Sequence, residues 1–111
     1  MISTHVLDLT QGTPAAGVPV TLARIEQGAP VDAVTRETDA DGRIADLGAG
    51  DLRAGPYQLR FDVAAYFRKQ GRGPAPFVSR VVLDIDVTDP TRRYHVPLLV
   101  TPYSCASYRG S

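Results

Sequence analysis

Two histidines are the side chains of this 111-residue sequence best suited to proton transfer. A neutral imidazole, whose ordinary pKa is about 6.5, can accept a proton close to neutral pH. His5 and His95 lie at opposite ends of the sequence, so only the fold could bring them together. Taken by themselves, they are more simply interpreted as two unrelated imidazoles at a surface or an interface.

The C-terminal segment Tyr108-Arg109-Gly110-Ser111 is the second candidate for chemistry. Chain termini usually fray and carry no function. This one combines an aromatic ring, a guanidinium, a glycine and a hydroxyl beside a free carboxylate, and it follows the apolar segment 94–100. A polar end that follows an apolar strand predicts a tail that is held in place and used; a frayed end is the alternative.

Other reaction classes find little support in the sequence. The chain has no Gly-x-Ser-x-Gly motif, so Ser111 is not interpreted as a nucleophile. Cys105, the single cysteine, has no basic neighbour that would activate its thiol, and it is interpreted as a packing residue. One cysteine and two histidines cannot supply the usual ligands of a structural zinc site, so no metal is expected.

Length and charge indicate one domain, residues 1–111, without a polyanionic partner. Twelve basic residues balance twelve acidic ones, so no overall field directs the protein to nucleic acid or to an anionic membrane. No apolar run approaches the length of a membrane span, and the N-terminus has no signal-like apolar segment. We therefore expect a cytoplasmic protein that binds neither nucleic acid nor membrane.

Short alternating segments between turn signals predict an all-β fold. Apolar residues occupy every second position in the segments 18–22 and 57–63, and in 77–87 with Ser79 as the one interruption. A weaker strand is predicted at 31–38. Only 64–70 is a plausible helix, and Tyr66 and Phe67 on it are expected to pack into the core. Loops or turns are predicted at 39–42, 48–50 and 71–76. Several strands spaced by turns are typical of an antiparallel β-sandwich.

The first and the penultimate predicted strands carry both histidines on the face that is not the core face. Alternation puts His5 beside Leu7, and it puts His95 beside Leu99 and Pro97. A face with these apolar residues is unsuited to solvent. The pattern therefore predicts that both histidines line an interface between subunits.

The opening Ser3-Thr4-His5-Val6-Leu7-Asp8 and the ending Tyr-Arg-Gly-Ser resemble the 5-hydroxyisourate hydrolases, the transthyretin-related enzymes of urate breakdown. The resemblance runs from Ile2 to Ser111. It implies a transthyretin-like (prealbumin-like) β-sandwich with one short helix. It also implies a homotetramer with active sites between dimers, no cofactor, and hydrolysis of 5-hydroxyisourate to 2-oxo-4-hydroxy-4-carboxy-5-ureidoimidazoline.

The same resemblance assigns roles to individual residues. The family's catalytic positions match His5, Arg43, His95 and Ser111. Its substrate-binding positions match His5, Arg43, His95, Tyr108, Arg109, Gly110 and Ser111. One histidine would accept a proton from water, and Arg43 would stabilise the charge on the attacked carbonyl. His95 is favoured as the base, but the choice between the histidines stays open. Gly110 would permit a sharp bend that brings Ser111 to the pocket.

Two other functions fit a sandwich of this size. A transthyretin-like carrier would bind a small aromatic ligand between subunits without catalysis, and a structural adhesion module would bind no small ligand. A passive apolar channel does not need the two histidines, Arg43 and the polar tail, so these residues favour the hydrolase. Without the resemblance, Arg43 is more simply interpreted as a solvated side chain after a turn.

Overall fold

Nine strands and one helix form the part of the chain that the computed structural model describes, residues 1–48, 51–71, 73 and 75–111. In chain order they are β1 Ile2–Asp8, β2 Thr13–Pro14, β3 Pro19–Glu26, β4 Ala29–Glu37, β5 Arg43–Ile44, β6 Gly55–Phe61, α1 Val63–Gln70, β7 Val81–Val87, β8 Tyr94–Val100 and β9 Cys105–Ser107. The predicted turn at 48–50 and loop at 71–76 include residues 49, 50, 72 and 74, which lie outside the described residues.

The strands form two sheets. The first has the order β2-β1-β8-β9, with the short β5 also paired to β1, and the second has the order β4-β3-β6-β7. The expected all-β sandwich is therefore confirmed. Its pairings in the described ranges are antiparallel except one, because β1 and β8 run parallel. A parallel pair needs a long connection, and here most of the chain supplies it.

Alternating apolar rows from both sheets form the core, as the sequence predicts. Val20, Leu59 and Phe61 of the second sheet are fully buried, as are Val6 and Leu98 of the first. Burying a side chain of this size contributes about 1.5–3 kcal/mol. The core therefore fixes which face of each strand is turned outward, and the histidines are on the outward faces.

Helix α1 begins one residue before the predicted 64–70. Asp62 caps its N-terminus by accepting a hydrogen bond from the Ala65 amide at 3.0 Å. Gly71 ends it in the left-handed conformation, with φ of 66°. Tyr66 and Phe67 are buried, as expected, and the Tyr66 hydroxyl donates to the buried Asp8 carboxylate at 2.8 Å. The helix is thereby fixed to the end of β1.

Two expectations about single residues are wrong. Phe77 is 81% exposed and precedes β7, because the amides of Phe77 and Val78 both donate to the Pro102 carbonyl and direct this segment away from β6. Cys105 is exposed rather than packed, because it begins β9, the edge strand of the first sheet. The described residues contain no helix long and apolar enough to span a membrane.

Candidate active site

The parallel pairing of β1 with β8 brings the two histidines to one outer face. Ser3 pairs with His95, and His5 pairs with Pro97, so the histidines are on neighbouring strands and two residues out of step. From strand geometry their Cα atoms are separated by roughly 8 Å. Both side chains are half-buried. Residues ninety positions apart in the sequence are thus neighbours on the sheet.

Arg43 is on the other side of β1, directly opposite His5. Strand β5 is antiparallel to β1, and the paired Cα atoms are those of His5 and Arg43. Directly opposed residues of an antiparallel pair point to the same face. The order β5-β1-β8 therefore places Arg43, His5 and His95 side by side across three strands.

A tight turn holds Arg43 in this position. Asp39 closes it: its carbonyl accepts from the Gly42 amide at 2.9 Å, and its Oδ1 accepts from the Asp41 and Arg43 amides. Gly42 has φ of 74°, a conformation that glycine adopts without cost. A β-carbon on Gly42 would also collide with the Val6 carbonyl oxygen. The predicted turn at 39–42 is confirmed, and it packs directly on β1.

The C-terminal tail reaches His95 through Gly110. The Gly110 amide donates to the His95 carbonyl at 2.7 Å, and this bridge continues the register of β8 with β9. A β-carbon on Gly110 would lie 2.6 Å from the His95 Cδ2 atom. The backbone of Gly110 is outside the left-handed region. The glycine is therefore required for close approach to the imidazole and not for the expected sharp bend.

The Arg109 side chain lies against Tyr94, the residue that precedes His95 on β8. The Arg109 guanidinium stacks on the Tyr94 ring, 4.7 Å from its centroid, and Tyr94 belongs to the buried face of β8. Tyr108 and Arg109 border a cavity of about 240 Å³ that Asp84 and Asp86 of β7 also line. Ser111 is exposed and follows Gly110 directly. Gly110, between Arg109 and Ser111, is the tail residue that is bridged to His95.

Burial and neighbouring charge lower the pKa of His95 below its ordinary value of 6.5. Removal from water is the largest cause, followed by the charges of His5 and Arg43. A histidine with a lowered pKa is neutral at neutral pH and can accept a proton. Beside it, Arg43 keeps its positive charge at any physiological pH. Together these groups can deprotonate water and stabilise negative charge on an attacked carbonyl.

One contact of the site was missed from the sequence. The Ser3 hydroxyl and the His95 Nδ1 atom are 2.9 Å apart. Ser3 shares the parity of His5 on β1, which indicates the correct face. Its proximity to His95 depends on the parallel register of β1 with β8, and no local pattern reveals that register.

The site contains none of the usual metal-ligand clusters. Over the residues for which the structure gives positions, no three or more histidine, cysteine, aspartate or glutamate side chains are grouped so that they could hold a metal ion.

Comparison with known proteins gives full-length matches. The model of the HIUase/Transthyretin family matches residues 2–110. The 5-hydroxyisourate hydrolase of Caulobacter vibrioides is 39% identical over 112 residues, which cover 99% of this chain and 97% of that protein. The structure of the Klebsiella pneumoniae 5-hydroxyisourate hydrolase is similar with a TM-score of 0.83 and 37% identity, and 99% of this chain and 98% of that chain are covered. Transthyretin from Sparus aurata gives a TM-score of 0.87 at 28% identity, covering 98% of this chain and 95% of that one.

Proposed function

The chain belongs to the HIUase/transthyretin family, and we propose that it is a 5-hydroxyisourate hydrolase that acts in urate degradation. The observation that carries the proposal is the row of Arg43, His5 and His95 across three strands, with the pKa of His95 lowered. The similarity in fold does not decide between enzyme and carrier, since hydrolase and transthyretin structures both match. The arrangement of ionisable groups favours the enzyme.

The proposed reaction opens the six-membered ring of the substrate at an amide-like carbonyl. Water attacks the carbonyl carbon as its O–H bond breaks, and neutral His95 takes the proton. The carbonyl oxygen gains negative charge, which the Arg43 guanidinium stabilises. When the C–N bond breaks, the proton held by His95 passes to the departing nitrogen. Water is consumed, and the proposed steps need only side chains and water.

His5 and the tail complete the proposed site. His5 lies between Arg43 and the strand of His95, where it can orient the water or the substrate. Gly110 brings the chain end beside the imidazole, so Ser111 can offer its hydroxyl and carboxylate to the substrate. Tyr108 and Arg109 are proposed as substrate-binding residues from the resemblance alone, since the Arg109 guanidinium is stacked on Tyr94 in its own chain.

We further propose a cytoplasmic homotetramer in which the histidine face of the first sheet meets a second subunit. The support is the composition of this face: Leu7 and Leu99 are half-buried on it and Pro97 is buried, in the same rows as His5 and His95. Sedimentation velocity would measure the assembly. A tetramer supports this arrangement, and a monomer at working concentration contradicts it.

A coupled absorbance assay tests the function. Urate oxidase generates 5-hydroxyisourate in the cuvette, the protein is added, and the ultraviolet absorbance of the intermediate is followed against its spontaneous decay. Accelerated decay that His95→Ala abolishes is the expected result. Decay at the spontaneous rate with a correctly assembled protein would favour the transthyretin-like carrier, the second candidate that the Sparus aurata match supports.

A further inference from the structure

The imidazole of His95 is held along both of its long edges. On one edge, Nδ1 is 2.9 Å from the Ser3 hydroxyl oxygen. On the other edge, Gly110 is so close that a β-carbon there would lie 2.6 Å from Cδ2. Nε2 is at the far end of the ring, and no hydrogen bond from a described residue reaches it. The ring therefore has one nitrogen engaged and one available.

The backbone that precedes Ser3 is fixed by hydrogen bonds from distant segments. The Leu47 amide donates to the Ile2 carbonyl, and the Tyr94 amide donates to the Met1 carbonyl, each at 2.8 Å. Ile2 and Thr4 are buried on either side of the half-buried Ser3. The serine hydroxyl is thus presented to His95 by a rigid strand, which is the condition for a group that orients another.

We propose that Ser3 is a positioning residue: its Oγ accepts a hydrogen bond from Nδ1–H of His95 and so keeps the lone pair of Nε2 free for the proton of water. The catalytic part of this inference rests on the proposed function. The tautomer itself is a property of the folded protein and can be measured without substrate.

The direction of this hydrogen bond follows from what happens when the ring is protonated. If Nδ1–H donates to Ser3, Nε2 can take a proton from water while the Nδ1 contact stays unchanged. If the serine hydroxyl donates to Nδ1, Nε2 already carries hydrogen and cannot act as the base. Neutral imidazole in water favours the Nε2–H tautomer, so a hydrogen-bond acceptor beside Nδ1 is needed to reverse that preference.

The test measures the tautomer and the rate in the same variants. Ring-nitrogen chemical shifts of His95 are recorded at a pH where the imidazole is neutral, and the His5→Gln spectrum identifies its signals, since the chain has two histidines. Wild type is expected to show the Nδ1–H tautomer, which Ser3→Thr retains and Ser3→Ala loses. Ser3→Ala should lower kcat roughly tenfold with little change in KM, less than removal of the base itself.

A matched control removes another hydroxyl hydrogen bond between strand residues. Thr21→Ala breaks the 2.7 Å contact with Thr35 in the second sheet and should change neither the His95 tautomer nor kcat. An Nε2–H tautomer in wild type, or an unchanged tautomer in Ser3→Ala, would overturn the proposal. If Ser3→Ala changes the His95 tautomer but the wild-type protein has no hydrolase activity, the proposed function is refuted and the Ser3–His95 hydrogen bond is still supported. If Ser3→Ala changes the His95 tautomer without lowering kcat, the positioning role of Ser3 in catalysis is refuted.

Discussion

Gly110 and His95 are bridged backbone to backbone, and the space beside the imidazole Cδ2 atom is too small for any side chain at residue 110. Gly110→Ala should therefore displace either the ring or the tail. A displacement of about 1 Å at a reacting group can lower the rate about 10²-fold. We expect that loss in kcat/KM, with a melting temperature close to wild type because the tail lies outside the core.

Deleting Gly110 and Ser111 gives the complementary measurement. Activity should fall, while the melting temperature should stay nearly unchanged, since neither residue belongs to the buried core. A truncated protein with full activity would show that the chain end takes no part in the reaction.

The three side chains aligned across β5, β1 and β8 should each be needed for turnover. His95→Ala, His5→Ala and Arg43→Ala are expected to lower kcat about 10²–10⁴-fold, the range for positioned acid–base groups. Arg36→Ala is the matched control, because Arg36 is an exposed arginine on β4 of the other sheet. If all three variants stay within a few-fold of wild type, the assignment of the site is wrong.

The lowered pKa of His95 should make both the activity and the stability of the protein depend on pH. On the acid side, the midpoint of the decline in kcat/KM should lie below pH 6.5, because His95 stays neutral to lower pH than an ordinary histidine. Stability should decline as the pH drops below 6.5, because the unfolded chain then binds the proton first. Carbon–proton NMR titration of the His95 ring measures the pKa directly.

Neighbouring charge can be removed in the same titration. Arg43→Gln and His5→Gln should each raise the pKa of His95, since both groups disfavour its charged form. A pKa that does not move in either variant would mean that burial alone sets it.

Gly42 and Gly12 form a matched pair for a test of the turn before Arg43. Both have positive φ, 74° and 71°, but a β-carbon has open space at Gly12 and collides with the Val6 carbonyl at Gly42. We expect Gly12→Ala to cost about 1–2 kcal/mol of unfolding free energy. Gly42→Ala should cost about 2–5 kcal/mol, because a backbone shift is added to the strain. Urea unfolding at one protein concentration measures the unfolding free energy of both variants. Equal losses would show that the backbone at Val6 can move aside for the added β-carbon at little cost.

Local patterns were sufficient to predict the core rows and the helix. Alternation at Tyr57, Leu59 and Phe61 is a consequence of one buried sheet face, and Asp62 and Gly71 provide the helix ends. Ser79 interrupts the alternation between Phe77 and Val81, and the amide of Phe77 donates to the loop carbonyl of Pro102. Such a contact with a distant loop leaves no periodic signal.

The site was predictable only as a set of residues, and not as an arrangement. Alternation indicates correctly that His5 and His95 are on outer faces. Their proximity, and that of Ser3, depends on which strands are neighbours and in what register, and these follow from the packing of the whole chain. The requirement for glycine at residue 110 is likewise a steric consequence of a contact made between separate strands.

Because β1 is the first strand and its parallel neighbour β8 is nearly the last, this protein has an order of assembly built into its synthesis. Ser3 leaves the ribosome 92 residues before the histidine it contacts. Until then the first strand has no β8 beside it, and contacts of such long sequence separation form slowly. A chain that stops before β8 would therefore contain most of the strands and no assembled site. Synthesis of β8 thus decides when the face that carries both histidines first exists.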